Sequence, residues 1–413
     1  MLKNYIKIAW KVLLRRKFFT FISLFGISFT LMVLMVATSL YDHVFGPQMP
    51  ERDTDRLLFV NMMRESVEDG HTRSGPVSYH FLSRNVRTLQ TPEKVSINSM
   101  PAQVNSYINN RKLSLEIKYT DQEFWDILDF NFLEGNAYSQ QDVQSANRVA
   151  VINENTRKQY FGTGEAVGHY IEVDQVKYKV VGVVEDVPVL RLHSYADVWV
   201  PITLKSQDFN KPQLHGTYFA TIKAKASDDV PKIKTEYAAM LQEVERQQPT
   251  KGTKLYSFPE TVLESFTRTF LGDGKKAAVG LLYGILAVAT FLFMLLPTIN
   301  LVNINISRIM ERSSEIGVRK AFGATTSAII GQFVIENIFL TLLGGLLGFA
   351  ISAAVLELIN DSGIIVYADL GLNIRVFAIG LLLCLVFGLL SGVYPAFRMS
   401  RLHAVEALKG GTK

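Results

Sequence analysis

Apolar residues are concentrated in four long runs that are nearly free of charge. The runs are Phe18–Leu40, Ala277–Pro297, Ile338–Val355 and Val376–Phe397. A bilayer core of about 30 Å needs roughly 20 helical residues, so each run is long enough to cross a membrane. Core helices of soluble proteins are the alternative, but they rarely reach this length without a charge. The pattern therefore predicts a membrane protein with four transmembrane α-helices. We place them at residues 18–40, 277–305, 327–358 and 375–397.

Charged residues around these spans predict their orientation. Basic residues outnumber acidic ones before the first span, between the second and third, and after the fourth, whereas the link between the third and fourth carries acids and no base. The positive-inside rule places the basic segments, and both termini, in the cytoplasm. The inner segments are then 1–17, a basic amphipathic helix, 306–326 and 398–413, and the outer segments are 41–276 and the short loop 359–374. The first span is far longer than the apolar part of a secretion signal, so we interpret it as a retained anchor.

The outer segment 41–276 alternates between strand and helix patterns. Near each end the order strand, helix, strand recurs: Arg56–Met62, Val77–Gln90 and Lys94–Met100, then Gly216–Ala226, Asp229–Gln247 and Lys254–Phe258. The predicted N-cap of the second helix is Asp228 or Asp229, and Pro231 lies in its first turn. Two such units are typical of a split α/β sandwich. We assign them to an α/β porter part at about 50–110 and 202–265.

Between these units lies a β-rich stretch, about 111–201, which we predict to be an inserted subdomain. Its predicted strands are Leu113–Thr120, Arg148–Ile152, His169–Val173 and Lys177–Glu185, and its predicted helices are Asp121–Leu128 and Asn153–Tyr160. Asp174-Gln175 is the predicted turn between the last two strands. The outer segment as a whole is therefore predicted to be a large α+β domain between the first two spans.

Small residues recur at helical spacing within the spans. Such faces let membrane helices approach closely, because lipid supplies no hydrophobic drive between helices. The glycines predicted to serve helix packing are Gly280, Gly284, Gly344, Gly348, Gly380, Gly388 and Gly392. Packing within one chain is the favoured interpretation, and a dimer interface is the alternative, most readily in the first two spans.

The sequence contains no recognisable catalytic or cofactor site. The single cysteine, Cys384, lies in the fourth span, and the seven histidines form no HExxH or similar ligand pattern. There is no GxxxxGK[ST] loop for ATP, and the glycines of FGTGEAVG follow a predicted helix instead of a strand. We therefore expect a non-catalytic protein without metal or cofactor. The net charge of +5 follows from topology and gives no reason to expect nucleic-acid binding.

Motifs near the membrane carry a resemblance to a known family. A basic start ending in Arg15-Arg16-Lys17 precedes one span, a large outer domain and three further spans. Two signature segments follow: EIGVRKAFGA from Glu315 to Ala324, and YPAFR from Tyr394 to Arg398 with VEALK at Val405–Lys409. The chain thus resembles the MacB-like permeases of ABC transporters, a group that includes FtsX-like and lipoprotein-release permeases.

The resemblance also extends into the outer domain. Phe124–Asn136 and Val176–Pro188 are similar to stretches of the family's periplasmic core domain. One departure is Ala404, where many relatives have proline before the tail motif. The resemblance covers essentially the whole chain and implies a place in the bacterial inner membrane, with the large domain in the periplasm.

The resemblance implies how such a chain works. Permeases of this group act as dimers of identical or different chains with two ATPase subunits on the cytoplasmic face, which bind the ATP. Closure of the ATPases moves the spans and rearranges the outer domains, so that a substrate is exported or extracted without passing between the spans. A periplasmic adaptor or lipoprotein and membrane lipid are further expected partners. The alternative function is that of FtsX-like relatives, a signalling or scaffold protein that regulates a periplasmic partner such as a cell-wall hydrolase.

The segment between the second and third spans is the expected ATPase-coupling site. It combines charges that can pair with a partner and apolar side chains that can insert into one, whereas a solvated connector resting on lipid headgroups is the alternative. Its residues are Glu315, Ile316, Gly317, Val318, Arg319, Lys320, Ala321, Phe322, Gly323 and Ala324.

Overall fold

The chain forms two units in the computed structural model. The helical unit comprises Met1–Tyr41, Tyr283–Ile364 and Leu370–Lys413, and the α/β unit comprises Asp42–Leu282 and Ile365–Asp369. The structure describes residues 7, 10–11, 13–15, 17–67, 71–108, 111–205, 209, 211–248, 252–272, 274–311, 318, 322–323, 325–367 and 369–400. Of these, only the backbone is described at 111, 296–298, 300–301, 303–305, 308–311, 326, 329 and 390–400.

Helices and strands alternate through the α/β unit, and the longest helices lie in the helical unit. The described helices are α1 (Lys17–Phe45), α2 (Tyr79–Phe81), α3 (Gln122–Ile127), α4 (Gln140–Gln144), α5 (Glu154–Phe161), α6 (Val230–Arg246), α7 (Val262–Phe270), α8 (Val279–Glu311), α9 (Thr326–Ser362) and α10 (Ile374–Ser400). The described strands are β1 (Leu57–Val60), β2 (Met63–Ser66), β3 (Thr72–Gly75), β4 (Lys94–Ser99), β5 (Ala102–Ile108), β6 (Arg111–Thr120), β7 (Phe132–Gly135), β8 (Val149–Asn153), β9 (Tyr170–Val173), β10 (Val176–Val184), β11 (Val198–Pro201), β12 (Tyr218–Lys223) and β13 (Lys254–Tyr256).

Four helices, α1, α8, α9 and α10, correspond to the four apolar runs. Two of them contain stretches long and apolar enough to cross a membrane, Lys17–Phe45 and Ile330–Ser362. The apolar helical stretches of the other two are shorter, Val279–Leu295 and Ile374–Leu389. Crossing by all four helices therefore stays a prediction.

Helices α8 and α9 extend beyond their predicted ends. Helix α8 continues to Glu311, into the predicted coupling segment, and α9 continues to Ser362, into the predicted short loop. Neither extension contains glycine or proline, so nothing in its sequence breaks the helix. Helix α9 stops at Gly363, which has a φ of +65° that suits glycine at a helix C-terminus.

A ten-stranded sheet is the scaffold of the α/β unit. Its order is β1-β12-β4-β6-β11-β8-β10-β7, with β5 beside β6 and β9 beside β10. Strands β1 and β4 flank β12 and run antiparallel to it, so β1, α2 and β4 form a split β-α-β unit as predicted. The second predicted unit does not close in this sheet, because β13 pairs with β2 in a separate three-stranded sheet. After β13 the chain returns, and Glu260 pairs with Phe59 of β1.

The β-rich stretch shares the large sheet and does not form a sheet of its own. Strand β6 is joined to β4 through Asn98 and Thr120, and it forms a hairpin with β5. The sequence pattern does not indicate β5, because its side chains are mostly exposed and show no apolar alternation. The turn between β9 and β10 lies where it is predicted, with a positive φ at both Asp174 and Gln175.

Side chains on the two faces of the sheet form two apolar cores. Along β11, Val198 and Val200 belong to one core, whereas Trp199 belongs to the other, as alternation along a strand requires. Trp199 packs edge-on against Trp125, with ring centroids 6.0 Å apart. Helix α6 covers part of the core that contains Trp199. Asp229 is its N-cap residue and Pro231 lies in its first turn, as predicted, although Asp229 makes no side-chain capping bond.

Candidate coupling site

The predicted coupling segment connects α8 to α9, and the structure describes part of it. Val318 is 46% exposed and Phe322 is 89% exposed. Gly323 has a φ of +87°, and Thr325 then caps α9 by accepting a hydrogen bond from the Ala328 amide. The other predicted residues of the segment lie outside the described residues: Glu315, Ile316, Gly317, Arg319, Lys320, Ala321 and Ala324.

The predicted packing glycines fall into two groups. A Cβ atom added at Gly344 would lie 2.8 Å from Ile27, and at Gly348 it would lie 3.0 Å from the Ser28 carbonyl oxygen. Gly380 and Gly388 are similarly close to side chains, at 3.0 and 3.1 Å. These four positions therefore face close neighbours within the helical unit.

Two other glycines, both in α8, have open surroundings. A Cβ atom at Gly280 or Gly284 would meet no described atom within 4 Å. Gly392 lies in the part of α10 whose surroundings fall outside the described residues. The glycine face of α8 is therefore not used for packing against the described part of this chain.

The segment that follows α1 in the α/β unit is held by a buried arginine. Arg191 donates from Nη2 to the carbonyl oxygens of His43 and Gly46, at 3.1 and 2.8 Å, and from Nη1 to Glu51 Oε2 at 3.3 Å. Ser194 Oγ donates to the other oxygen of Glu51 at 2.7 Å. The last carbonyls of a helix lack intrahelical partners, so Arg191 satisfies groups that would otherwise be buried without a hydrogen bond.

Burial makes this ion pair sensitive to the loss of either partner. The side chains of Arg191 and Glu51 are 1% and 2% exposed. Burial lowers the pKa of Arg191, and the neighbouring Glu51 carboxylate opposes that shift. A charge left here without its partner would be costly. The pair therefore fixes the end of α1 to the segment that leads into β11.

The segment that precedes α8 is attached to the same sheet. Arg268 of α7 donates from Nε to Glu260 Oε1 at 2.6 Å, and its guanidinium lies 3.7 Å from the centroid of the Phe258 ring. Glu260 in turn exchanges two backbone hydrogen bonds with Phe59 of β1, at 2.7 and 3.0 Å. Helix α7 is therefore bound to the edge of the sheet shortly before α8 begins.

A buried lysine and histidine lie in the core next to these attachments. Lys118 is fully buried, and its ammonium donates to the Leu192 carbonyl oxygen at 3.1 Å. His193 stacks on Phe59 with ring centroids 3.8 Å apart, and its Nε2 lies 2.8 Å from Asn61 Oδ1. Burial lowers the pKa of Lys118 to about 7 and that of His193 to about 3.

Sequence reasoning does not identify the buried charges. Arg191 and His193 stand in the stretch LRLHSYADVWV, where charged and apolar residues are mixed. The only local feature that points to these two residues is the mixture of charged and apolar residues directly before a short apolar strand. Glu51 lies 140 positions away from Arg191, and no short motif connects the two.

The chain is similar in sequence to two family models and to several known proteins. The family model described as MacB-like periplasmic core domain matches residues 20–239, and the model described as FtsX-like permease C-terminal matches residues 287–404. The uncharacterized ABC transporter permease YknZ of Bacillus subtilis (strain 168) is 26% identical over 275 residues, which are 67% of this chain and 65% of that protein. The macrolide export ATP-binding/permease protein MacB of Pasteurella multocida (strain Pm70) is 27% identical over 303 residues, 72% of this chain and 44% of that protein.

The matched parts thus span less than two thirds of the length of these two relatives.

Among solved structures, the extracellular domain of the noncanonic ABC-type transporter YknZ from Gram-positive bacteria matches 47% of this chain and 99% of that domain. Its sequence identity is 11% and its TM-score is 0.34. A TM-score this low adds nothing to the comparison of sequences.

Proposed function

Since the chain belongs to the family with the MacB-like periplasmic core domain and is an ABC transporter permease, we propose that it couples a separate ATPase to its α/β unit. ATP hydrolysis on the cytoplasmic face would change the conformation of this unit and so drive export or extraction of a substrate from the periplasm or the outer leaflet. The permease chain itself is non-catalytic in this proposal, and ATP is bound by the partner subunit. It lies in the bacterial inner membrane with four spans, both termini inside and the α/β unit in the periplasm.

The exposure of Phe322 is the observation that carries this proposal. An aromatic side chain that is 89% exposed, with Val318 exposed four residues before it, is an apolar surface without a described partner in the chain. Aromatic anchors surrounded by charge are typical of protein interfaces. Glu315, Arg319 and Lys320 supply such charges in the sequence. An ATPase surface with an apolar pocket and complementary charges fits this segment.

The two chain connections give the coupling its route. A shift of α1 moves the carbonyls that Arg191 binds, and the buried pair with Glu51 passes that shift to the sheet. A shift of α8 acts through α7 and the Arg268–Glu260 pair. Because buried, close-packed elements deform little, both routes move the sheet as a body.

A second permease chain is the further partner that the surface of α8 supports. Gly280 and Gly284 leave room for a helix to approach, and Tyr283, Leu286 and Phe291 are exposed on the same helix. Small residues allow close approach of a partner helix in lipid. Membrane lipid covers the remaining apolar surface. A periplasmic adaptor or lipoprotein completes the assembly.

Co-purification from the native host in mild detergent tests the ATPase proposal. The variant Phe322→Glu places a charge on the proposed anchor, and we expect it to lower the recovered ATPase at least about tenfold. The matched control is Ile364→Glu, which alters another strongly exposed apolar residue, 79% exposed, after α9 on the predicted outer side. This control should recover as much ATPase as the wild type.

Equal recovery with Phe322→Glu and wild type would refute docking through this segment. The alternative, an FtsX-like signalling or scaffold protein, makes a different prediction. It would bind an outer partner such as a hydrolase, while no added cargo would stimulate ATP hydrolysis by the purified complex.

A further inference from the structure

The link between α9 and α10 contains a segment that belongs to the α/β unit. Residues Ile365–Asp369 are part of that unit, although the helices on either side of them belong to the helical unit. The chain therefore has a connection to the α/β unit besides those through the last residues of α1 and the first residues of α8. Its contacts decide whether it is a slack loop or a fixed element.

The base of the link is held by a pair of hydrogen bonds within the helical unit. The Asn360 side-chain amide donates to the Leu370 carbonyl oxygen at 3.2 Å, and its oxygen accepts from the Leu370 amide at 3.0 Å. Next to it, Ser39 of α1 donates to the Gly371 carbonyl oxygen at 2.9 Å. The two ends of the link are thus fixed to each other and to α1.

The tip of the link is held by one phenol. The Tyr367 hydroxyl accepts a hydrogen bond from Asn155 Nδ2 at 2.8 Å and lies 3.2 Å from Asp197 Oδ1, to which it donates. Burial raises the pKa of Tyr367, so the phenol keeps the proton that it donates. The ring also packs against Tyr195, with centroids 6.5 Å apart.

The carboxylate that receives this bond is built into the sheet. Asp197 precedes β11 and is 6% exposed. Its Oδ1 also accepts from Asn153 Nδ2 at 3.0 Å, at the end of β8, and its Oδ2 accepts from the Glu116 amide of β6 at 2.8 Å. Asn153 in turn caps α5. A pull on Tyr367 therefore acts on three adjacent strands and one helix.

The backbone at Tyr367 is in an unusual conformation. Its φ is +58°, a region that bulky side chains rarely adopt. Strained residues of this kind persist where the surroundings over-determine them, and they are concentrated at functional sites. The hydrogen bonds between Asn360 and Leu370 at the base of the link, and those of the Tyr367 hydroxyl at its tip, supply that constraint here.

We propose that Tyr367 is a latch, a positioning residue through which the α9–α10 link moves the centre of the sheet when the membrane helices move. This proposal rests on the proposed function, because it assumes that ATP-driven motion reaches the α/β unit. It adds to that function a route through the last two helices. It also assigns a role to Tyr367, Asp197 and Asn155.

Hydrogen exchange of the full chain, in lipid nanodiscs with its co-purified ATPase, tests the latch. The variant Tyr367→Phe keeps the ring and removes the hydroxyl. In the resting protein we expect exchange at 153–156 and 196–198 to become about tenfold faster, because a bond to a buried carboxylate is lost. The control Tyr170→Phe removes an exposed hydroxyl from β9 of the same sheet and should leave exchange unchanged.

Addition of ATP and vanadate gives the second measurement. In wild type we expect exchange to change both at 42–51, the last residues of α1 and those directly after it, and at 153–156, next to the latch. In Tyr367→Phe the change at 42–51 should persist and the change at 153–156 should fall at least about fivefold. Thermal unfolding of the variant, compared with wild type, checks that the fold is kept.

The outcomes separate the latch from the proposed function. If resting exchange is unaltered in Tyr367→Phe, or if ATP changes 153–156 equally in variant and wild type, the latch is refuted while ATPase coupling stands. If ATP changes exchange at neither segment of the wild type, the proposed function fails, and the latch fails with it.

Discussion

Replacement of Lys118 by methionine should make the α/β unit more stable at neutral pH. Lys118 is fully buried, and among the described residues its ammonium has one hydrogen-bond acceptor, the Leu192 carbonyl oxygen, although an ammonium carries three donors. The Phe219 ring lies 5.8 Å away and offers weak additional stabilisation. Methionine has a similar length and no charge, so it fits the same space without the cost of burying an ammonium.

The magnitude follows from the pKa of Lys118. Burial lowers that pKa from 10.5 to about 7. The unfolded chain therefore binds a proton more readily than the folded chain, and the cost of burial is fully present below pH 7. It disappears as the pH rises from about 7 to 10.5, so the free energy of unfolding increases over that window. At 1.36 kcal/mol for each pKa unit, the whole effect is about 5 kcal/mol.

Urea unfolding of the full chain in detergent, between pH 6 and pH 10, measures this difference. The fluorescence of Trp125 and Trp199 reports on the α/β core, in which both side chains are buried. We expect Lys118→Met to be more stable than wild type by about 3–5 kcal/mol at pH 6, once a lost hydrogen bond of about 1 kcal/mol is subtracted. This advantage should vanish near pH 10. The exposed Lys177→Met is the control and should show no pH-dependent difference.

Two results would refute the reasoning. One is a Lys118→Met variant that is less stable than wild type at pH 6. The other is a stability difference between the two proteins that stays constant from pH 6 to pH 10, since the pKa of Lys118 would then be unaffected by its burial.

Three further substitutions test other parts of the fold. Glu51→Gln leaves Arg191 buried without its counter-charge, so it should lower the free energy of unfolding, measured with urea, by about 3–5 kcal/mol. A smaller loss would show that the pair is solvated. Gly348→Leu should lower the thermal unfolding temperature of the detergent-solubilised chain, because a Cβ atom there lies 3.0 Å from neighbouring atoms. Gly331→Leu, in open space on the same helix, should not lower it, and equal effects of the two variants would contradict the packing. Gln175→Gly should raise the free energy of unfolding by about 1 kcal/mol, since the φ of Gln175 is +63°, and an unchanged urea midpoint would argue against strain in this turn.

Local patterns predict some of the regular elements of the chain and miss others. The strand at Lys94–Met100 and the helix at Asp229–Gln247 are close to β4 and α6, because alternation and helical spacing are properties of a few neighbouring residues. The turn at Asp174-Gln175 follows in the same way. The strands that the pattern misses are β2, β3, β5, β7 and β11. Strand β5 is mostly exposed, and the other four have only four residues each, so none has a clear periodic apolar signal.

Pairing between distant strands is less accessible to sequence reasoning. The sequence predicts two equivalent β-α-β units, yet β13 leaves the large sheet for a small one with β2. The register of β4 beside β6, which makes one sheet of the porter part and the β-rich part, depends on contacts between residues far apart in the chain. A single sequence contains no direct signal for such contacts.

The sequence by itself determined the apolar runs, the orientation predicted from charge, and the family, because these depend on composition and on short motifs. The tertiary structure decided which polar groups are buried and what they bind. Arg191 reaches Glu51 and the end of α1, and Tyr367 reaches Asp197, across 140 and 170 positions of the chain respectively. A buried charge or hydroxyl requires a partner, and only the folded chain brings that partner within hydrogen-bonding distance.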